Sequence, residues 1–402
     1  MRGLEVWLDE REVGWLRPDR TLAYVERWVA EPLAYPLAPA LPLPARGGPG
    51  SALEGDAVPT FFEQLLPEGE ARGAIFAALD LAPDDVWQAL GRLGRELAGA
   101  VRLVGDEPPA GRVGAVPRSA TPMQRRIARD ELSERLRHRD LLPLAVWDGQ
   151  VRHALPGRRD KLGVYVDRGE WHLVDGPQIA STHLLKPAPD SAARSELPFD
   201  EFFCMRLAER VGLDVARVEL HRVPEPVLLV ERFDRRRLDD GRVQRLHAIT
   251  ARQALGRAAG EPVTDGERFA LLRHSPLPLV DSRALLRWTL FRQLIGAEAG
   301  ADNLCFLVDH GGLRLAPAFG LSSDADAAAR AGIEDWAAFA RDGDIAPRSL
   351  ALELKRMSEL VPAHARALAD ELAGELPSAL VDRLLEVVND KARRMAGFEL
   401  KG

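Results

Sequence analysis

Residues 284–320 read ALLRWTLFRQLIGAEAGADNLCFLVDHGGLRLAPAFG, and this stretch decides the fold. Apolar residues recur at helical spacing across ALLRWTLFRQLI, and glycines follow as helix stop signals. Two apolar runs, LCFLV and LRLA, flank the turn sequence DHGG, which favours a β-hairpin. The stretch therefore predicts a helix, a short polar loop that ends at Asn303, and a hairpin.

This order of elements is typical of protein kinases. Kinases present a catalytic base after a helix, then a metal-binding Asn, and then a metal-binding Asp beyond a hairpin. Here the loop before Asn303 reads EAGAD, and the segment after the hairpin ends in Gly320. The scaffold predicts a kinase-type fold, whereas acids are missing from the places where kinase chemistry needs them.

Composition limits the class of protein. A chain of 402 residues is long enough for two or three domains. Its net charge of −7 argues against direct, non-specific binding to DNA. No apolar run approaches the length that spans a bilayer, and the acidic, strand-like N-terminus does not read as a signal peptide. Cys204 and Cys305 are unpaired in spacing, so we expect a cytoplasmic protein with neither disulfide nor zinc site.

The use of lysine points to a functional position. Of 54 basic residues only five are lysine, so arginine supplies most of the generic positive charge. Lys186 ends the strand-like run THLLK, and a helix pattern around Glu201 follows. A further strand pattern, Val227–Phe233, completes the order of a kinase small lobe. A lysine kept at this place raises the question of which role needs a compact ammonium and not a guanidinium.

The chain resembles the HipA family of bacterial Ser/Thr kinase toxins over nearly its whole length. The resemblance rests on the order and spacing of short motifs along the chain. They are FFEQLLPEGEAR (61–72), GRELAGAVRL (94–103), LPGRRDKLGV (155–164), STHLLK (181–186), DEFFCMRLAERVGL (200–213), LLVERFDRR (228–236), RLH (245–247) and LIGA (294–297).

The resemblance implies an α+β fold. It has an N-terminal mixed α/β domain, followed by a two-lobed, protein-kinase-like body whose C-terminal lobe is mostly helical. The expected divisions are 1–105 for the N-terminal domain, 106–140 for a connecting segment, 141–248 for the small lobe and 249–402 for the helical large lobe.

The resemblance also implies roles for individual residues. Lys186 would pair with nucleotide phosphates, and Glu201 would orient it. Arg158 and Arg159 lie in the turn that covers phosphate in relatives, and Asn303 matches the family's metal-binding Asn. ATP and magnesium are the cofactors that these roles imply.

The differences from the family occur at the positions that carry its catalytic chemistry. The catalytic Asp falls on Ala299 when the loop is aligned from LIGA, whereas alignment from Asn303 places Glu298 there as an alternative base. The metal-holding Asp falls on Gly320, with Asp324 and Asp326 several residues beyond it. The autophosphorylated Ser falls on Ala154, and the residues that follow RLH are Ala248–Thr250 instead of Gln-Glu-Asp.

Three functions remain open from the sequence. The first is a pseudokinase of a toxin–antitoxin system, which binds a HipB-like helix-turn-helix antitoxin or a kinase paralogue and reaches DNA only through that partner. The second is an active Ser/Thr kinase toxin that uses Glu298 as base, with Asn303 and Asp324 or Asp326 on magnesium. The third is nucleotidyl transfer on the same fold.

Overall fold

The computed structural model describes residues 3–45, 52–105, 123–189, 195–297, 303–323, 333 and 335–397. It confirms the predicted α+β class, since helices and strands both contribute substantially. In this described part, no helix combines the length and apolar character that crossing a bilayer requires.

Seventeen strands are present in the described residues. They are β1 (Leu4–Leu8), β2 (Arg11–Leu16), β3 (Leu22–Tyr24), β4 (Val101–Val104), β5 (Met123–Arg126), β6 (Val146–Trp147), β7 (Gln150–Val151), β8 (Leu162–Asp167), β9 (Glu170–Asp175), β10 (His183–Pro187), β11 (Val218–Val223), β12 (Glu225–Glu231), β13 (Arg235–Arg237), β14 (Val243–Arg245), β15 (Ala248–Thr250), β16 (Cys305–Asp309) and β17 (Gly312–Leu315).

The described residues also form twelve helices. They are α1 (Glu26–Val29), α2 (Ala57–Glu63), α3 (Gly69–Ala78), α4 (Val86–Leu93), α5 (Arg129–Arg137), α6 (Leu197–Arg210), α7 (Ala251–Leu255), α8 (Asp265–Leu272), α9 (Pro278–Leu294), α10 (Trp336–Asp342), α11 (Pro347–Glu371) and α12 (Ser378–Ala396).

Contacts divide the chain into two compact units. The first contains Met1–Pro189, His221–Glu261 and Leu307–His310, and the second contains Asp190–Leu220, Pro262–Phe306 and Gly311–Gly402. The segments expected to be an N-terminal domain and a small lobe thus belong to one unit. Helix α6, expected in the small lobe, is grouped with the second unit, where Arg210 pairs with Glu371 of α11.

Two sheets form the framework of the first unit. Near the N-terminus the strand order is β3-β2-β1-β4, and alternate residues of β1 are buried, as the alternating sequence predicts. The larger sheet has the order β11-β12-β10-β8-β9-β5. Strand β10 lies inside it, antiparallel to both β12 and β8, so Lys186 stands on a central strand opposite Leu228.

Part of the predicted connecting segment belongs to the larger sheet. Residues 106–122 lie outside the described residues, whereas Met123–Arg126 pairs with β9 at the edge of the sheet. Helix α5 follows and buries Leu132 and Leu136 in the core beneath the sheet. Apolar spacing on a short, highly charged helix carries a weak sequence signal, which explains why the segment read as a linker.

The second unit is built around α9, as the opening stretch predicts. Its apolar face is buried, and it begins at Pro278, earlier than the apolar run alone indicates, because proline is favoured in the first turn. Arg283 and Arg287 donate to the buried carboxylate of Glu353 on α11. Strands β16 and β17 confirm the predicted hairpin.

A buried carboxylate, Glu96, links the N-terminal residues of the first unit to its larger sheet. One of its oxygens lies 2.8 Å from Arg232 Nη1 and 3.4 Å from Arg235 Nη2, and the other lies 3.4 Å from Arg245 Nη2. Burial alone raises the pKa of Glu96, but the three arginines more than offset it, and the pKa falls to about 2. Glu96 is therefore ionised throughout the neutral range.

A second carboxylate, Asp234, completes this group. It lies 2.8 Å from Arg232 Nη2 and 3.0 Å from Arg235 Nη1. The five side chains Glu96, Arg232, Asp234, Arg235 and Arg245, hereafter the Glu96 cluster, carry three positive and two negative charges. Such a buried group is costly to break, because removing one partner leaves an uncompensated charge in a poorly polarisable interior.

Backbone groups near Gly99 join the same cluster. The Gly99 N–H donates to Asp234 Oδ2 at 2.7 Å, and Arg235 Nη1 donates to the Gly99 carbonyl at 2.7 Å. Gly99 has φ +66°, and a Cβ there would lie 2.7 Å from the Ala248 carbonyl oxygen. Only glycine satisfies both the backbone conformation and this close approach.

Other motifs that carry the family resemblance also form hydrogen bonds with backbone groups within the first unit. Gln64 Nε2 donates to the Arg257 carbonyl at 2.8 Å, and the Glu68 N–H donates to the Gly157 carbonyl at 3.2 Å. His247 Nε2 lies 2.7 Å from the Leu37 carbonyl oxygen. The motifs FFEQLLPEGEAR, GRELAGAVRL, LLVERFDRR and RLH therefore meet one another or neighbouring backbone, and they hold the first unit together.

We expect Glu96→Gln to lower the free energy of unfolding by about 3–5 kcal/mol, because it leaves three buried arginines with one carboxylate. The matched control is Glu63→Gln, whose pair with Arg72 is partly exposed and should be worth at most about 1 kcal/mol. Urea unfolding followed by tryptophan fluorescence measures both.

The pH dependence gives this prediction a second signature. The ordinary pKa of a glutamate is 4.5, and that of Glu96 in the folded chain is about 2. Its carboxylate therefore stabilises the fold fully above pH 4.5 and loses this effect as the pH falls toward 2. The stability difference between the wild type and Glu96→Gln should shrink over that interval, and equal losses in Glu96→Gln and Glu63→Gln at pH 7 would contradict the account.

Candidate functional site

The turn at residues 155–161 is fixed in place by its own backbone and by neighbouring residues. Gly157 has φ +108°, and a Cβ there would lie 3.1 Å from Lys161 Nζ, so glycine leaves room for the ammonium. Lys161 Nζ donates to the Pro156 carbonyl at 2.7 Å. Asp160 Oδ2 accepts the Leu144 N–H at 2.9 Å, which anchors the far end of the turn.

Lys161 is a buried lysine that the sequence analysis did not single out. Burial lowers its pKa to about 7, and the positive charge of Lys186 contributes to the same effect. Lys186 thus lies close enough for its charge to act on Lys161, and these are two of the chain's five lysines. The scarcity of lysine could have identified Lys161, because each lysine in an arginine-rich chain is a candidate for a role that arginine cannot fill.

The two arginines of the turn differ from these lysines in exposure. The Arg158 side chain is 81% exposed, and its Nε lies 3.9 Å from Glu68 Oε2. Arg159 is also exposed, and its charge lowers the pKa of Lys161. The turn and β10 therefore bring four cations into one region of the first unit, with Lys161 buried, Lys186 half-buried and the two arginines exposed. Such an arrangement suits an anion with several oxygens, such as a phosphate chain.

Ala154 stands directly before this turn and is fully buried. Its N–H donates to the Glu96 carbonyl at 3.1 Å, so the backbone here is tied to the same residue that organises the Glu96 cluster. The preceding His153 is buried, and burial together with the charge of Lys161 lowers its pKa to about 3. A neutral histidine and a methyl group occupy this segment, and neither offers a hydroxyl that could accept a phosphoryl group.

The residues expected to hold metal are arranged differently in the second unit. Asn303 Nδ2 donates to the Gly320 carbonyl at 2.6 Å. Gly320 has φ +61°, and a Cβ there would lie 3.0 Å from Asn303 Nδ2. Asn303 thus supports the backbone of Gly320 at a position where a larger side chain would displace it.

The segment around Gly320 is also held from other directions within the second unit. The Ala318 N–H donates to the Asp214 carbonyl at 2.8 Å, and the Ala216 N–H donates to the Ala318 carbonyl at 2.9 Å. The Ser323 N–H donates to Asp200 Oδ1 at 2.7 Å. Asp200 precedes Glu201 on α6, and both are buried. Hydrogen bonds of its backbone N–H and C=O groups to neighbouring residues therefore hold this segment in place.

Several predicted positions cannot be placed. Glu298 and Ala299, together with Asp324 and Asp326, lie outside the described residues. The expected ion pair of Lys186 with Glu201 stays a prediction, since the two residues belong to different units. Among the described residues, no three histidine, cysteine or acidic side chains form a metal-binding group.

Comparison with known proteins identifies the scaffold. A model described as the HipA-like C-terminal domain matches residues 153–393, and one described as the HipA N-terminal domain matches residues 4–104. The chain belongs to the HipA family. The resemblance inferred from the motifs is therefore confirmed.

Relatives from two bacteria match most of the chain. The protein Y4mE of Sinorhizobium fredii, which bears the name of a kinase, is 32% identical over 431 aligned positions that cover 98% of both chains. The serine/threonine-protein kinase toxin HipA of Shewanella oneidensis is 27% identical over 80% of this chain and 75% of that protein.

A solved structure supports the fold over the whole length. The Shewanella oneidensis complex of HipA, HipB and operator DNA matches 99% of this chain and 100% of its own, with a TM-score of 0.77. Sequence identity in that match is 23%, so the match bears on the fold alone. This HipA-family chain thus keeps the family's architecture.

Ala248–Thr250 has a structural use in this member of the HipA family. These residues form β15, and Thr250 caps α7. The Thr250 hydroxyl accepts the Gln253 N–H at 3.1 Å, and the Gln253 side chain accepts the Thr250 N–H at 3.0 Å. This reciprocal cap gives Thr250 a structural role at the start of α7.

The group of four cations and the metal region differ in what they could hold. Lys161 and Lys186, with the arginines of the turn, fit the phosphates of a nucleotide. Around Gly320, Asn303 Nδ2 donates to the Gly320 carbonyl and the Asp200 carboxylate accepts the Ser323 N–H, and the described residues contain no group of three metal-binding side chains. The described residues therefore fit an anion better than they fit its metal.

We expect one lysine of this chain to titrate with a pKa of about 7. Selective ¹³C labelling of lysine gives a spectrum of only five side chains, in which the ε-carbon shift reports protonation. Lys186→Met should raise the pKa of Lys161 by removing a nearby positive charge. The exposed Lys355→Met is the matched control and should leave it unchanged, and a spectrum in which no lysine titrates below pH 9 would rule this out.

Restoring an acid at Gly320 should not restore a metal site. Gly320→Asp places a side chain at positive φ and against Asn303, so it should destabilise the second unit by about 1–3 kcal/mol without gaining magnesium-dependent ATP affinity. Gly320→Ala adds the same Cβ without the carboxylate and serves as control. Titration calorimetry with ATP, with and without magnesium, measures the effect, and a gain confined to Gly320→Asp would show that the carboxylate alone was missing.

Proposed function

We propose that this chain is a pseudokinase of the HipA toxin family that acts by binding a HipB-like helix-turn-helix repressor. In this proposal the kinase-like scaffold is kept as a binding body, and phosphoryl transfer is lost. The observation that carries it is Gly320 itself, a residue at φ +61° without a carboxylate at the position where the resemblance places the metal-holding acid, with its backbone carbonyl accepting from Asn303 Nδ2.

The size of the missing effects supports the proposal. A positioned general base contributes roughly 10²–10⁴-fold to a rate, and the family's base position falls on Ala299 in one alignment. A magnesium ion neutralises charge on the transferring group and bridges the phosphates, so its loss adds to that of the base. Ala154 removes the family's autophosphorylated hydroxyl as well.

The proposed partner follows from a relative and from charge. The solved Shewanella oneidensis HipA is in complex with HipB and operator DNA. This chain has a net charge of −7, which disfavours direct contact with a polyanion. We therefore propose that it reaches DNA through a basic repressor of the HipB kind and restrains or tunes that repressor by binding.

A second candidate is an active kinase toxin, and one observation favours it. Lys161 and Lys186 remain together beside the phosphate-covering turn, as nucleotide binding would require. In that case Glu298 would act as base, with Asn303 and Asp324 or Asp326 on the metal.

One experiment separates these functions. The full chain is co-expressed with a HipB-like repressor, isolated by size exclusion, and incubated with magnesium and ATP labelled at the γ- or α-phosphate. We expect a stable complex, unchanged in Lys186→Ala, and no label above background on either protein. The Shewanella oneidensis HipA serves as the control for active transfer.

The contrary outcomes are distinct. Transfer of γ-label that is lost in Lys186→Ala would establish the kinase, and transfer of α-label would establish a nucleotidyl transferase. Failure to form any complex with the repressor would reject the binding role, whatever the labelling shows.

A further inference from the structure

A small cleft in the first unit has four arginines among its twelve lining residues. It lies among α4, β7, β9 and β14, and its lining includes four cations and two carboxylates. We name it the arginine cleft. Its charged lining residues are Arg92, Arg95, Glu96, Arg152, Asp175 and Arg245.

The carboxylates of the arginine cleft are already neutralised. Glu96 is shared with Arg232, Arg235 and Arg245 in the Glu96 cluster. Asp175 Oδ1 lies 3.9 Å from Arg95 Nη1. The lining carries four arginines against two carboxylates. Arg232, Arg235 and Asp234 of the Glu96 cluster add one net positive charge, which Asp148, the partner of Arg152, offsets. The remaining excess of positive charge favours a negatively charged occupant.

Arg152 supplies an independent reason for an occupant. Its side chain is 7% exposed, and only its Nη2 has a partner among the residues described, donating to Asp148 Oδ2 at 2.6 Å. Its Nε and Nη1 are buried without any acceptor among those residues. Buried donors are almost always satisfied, so two unpaired N–H groups on one guanidinium call for a ligand.

Arg245 shows the same feature on the opposite side of the cleft. Its side chain is 2% exposed, and its Nη1 and Nη2 donate to the carbonyls of Pro177 and Ile179 at 2.9 and 3.1 Å. Its Nε lacks a partner among the described residues. The orphaned donors therefore belong to two guanidinium groups that line one cleft.

The chemistry of these donors selects the ligand. Guanidinium groups present N–H donors in a planar fork and accept nothing, so the ligand must be an acceptor with several oxygens. A phosphate dianion meets this need and matches the surplus of positive charge. We propose that the arginine cleft binds a phosphate group, either as the free anion or as the end of a small phosphomonoester.

This site is separate in its residues from the cations of the phosphate-covering turn, and it extends beyond the proposed function. Neither Lys161 nor Lys186 lines the arginine cleft, and neither Arg158 nor Arg159 does. Glu96 also lines the cleft, so a bound phosphate would lie beside the Glu96 cluster, which holds the first unit together. Occupancy would reinforce that group by balancing its positive charge.

Titration calorimetry of the full chain with inorganic phosphate, at ionic strength held constant with chloride, tests the proposal. Arg152→Gln keeps a polar side chain and removes the charge, and Arg95→Ala changes a residue that is 39% exposed at the rim. Each should weaken phosphate binding about tenfold or more. The matched control is Arg394→Ala on α12, an arginine 67% exposed that pairs with Asp390, and it should leave the affinity unchanged.

Two further arms make the outcome decisive. Lys186→Ala can weaken only a separate phosphate site at the turn, so the binding that Arg95→Ala and Arg152→Gln weaken should persist in it; loss of all phosphate binding in Lys186→Ala would place that binding at the turn and overturn the proposal. Equal binding of glycerol phosphate would identify a phosphomonoester as the occupant, and binding of inorganic phosphate alone would identify the free anion. Absence of phosphate binding, or affinity unaffected by both Arg95→Ala and Arg152→Gln, would also overturn it, and Arg95→Ala decides if Arg152→Gln fails to fold.

Discussion

The buried contact of Glu96 with Arg232, Arg235 and Arg245 is the interaction on which the first unit depends. It joins residues that are more than 130 positions apart in the chain, and it lies beside both the segment that carries Ala154 and the arginine cleft. Buried charges are tolerated only when every partner is present, so each member of this cluster constrains the others. That constraint explains why the motifs around them remain readable in a chain whose reactive positions have changed.

The motifs by which the family is recognised therefore have a physical explanation. The motifs that identify the HipA family hold backbone and charge together within the first unit, and substituting them costs stability. Ala154 and Gly320 are also part of the packed structure: Ala154 is fully buried, and Asn303 Nδ2 donates to the Gly320 carbonyl. The residues present at these two positions thus fit the scaffold without a hydroxyl or a carboxylate.

The sequence predicted the elements better than it predicted their contacts. Periodicity found α9, the hairpin of β16 and β17, and the strand that carries Lys186, because each has a strong local pattern. It did not find the pairing of Glu96 with its arginines, since nothing local links residues so far apart. It also passed over Lys161, whose lowered pKa arises from burial and from Lys186, and burial becomes visible only when the chain is folded.

The most direct test of the central claim, that the metal position is lost while the scaffold remains, is calorimetric titration with ATP in the presence and absence of magnesium. In this account the cations around Lys161 and Lys186 would act on phosphate directly, without a metal held by an acid at the position of Gly320. The account predicts that magnesium does not strengthen whatever ATP binding occurs. Binding that requires magnesium and disappears in Lys186→Ala would contradict it.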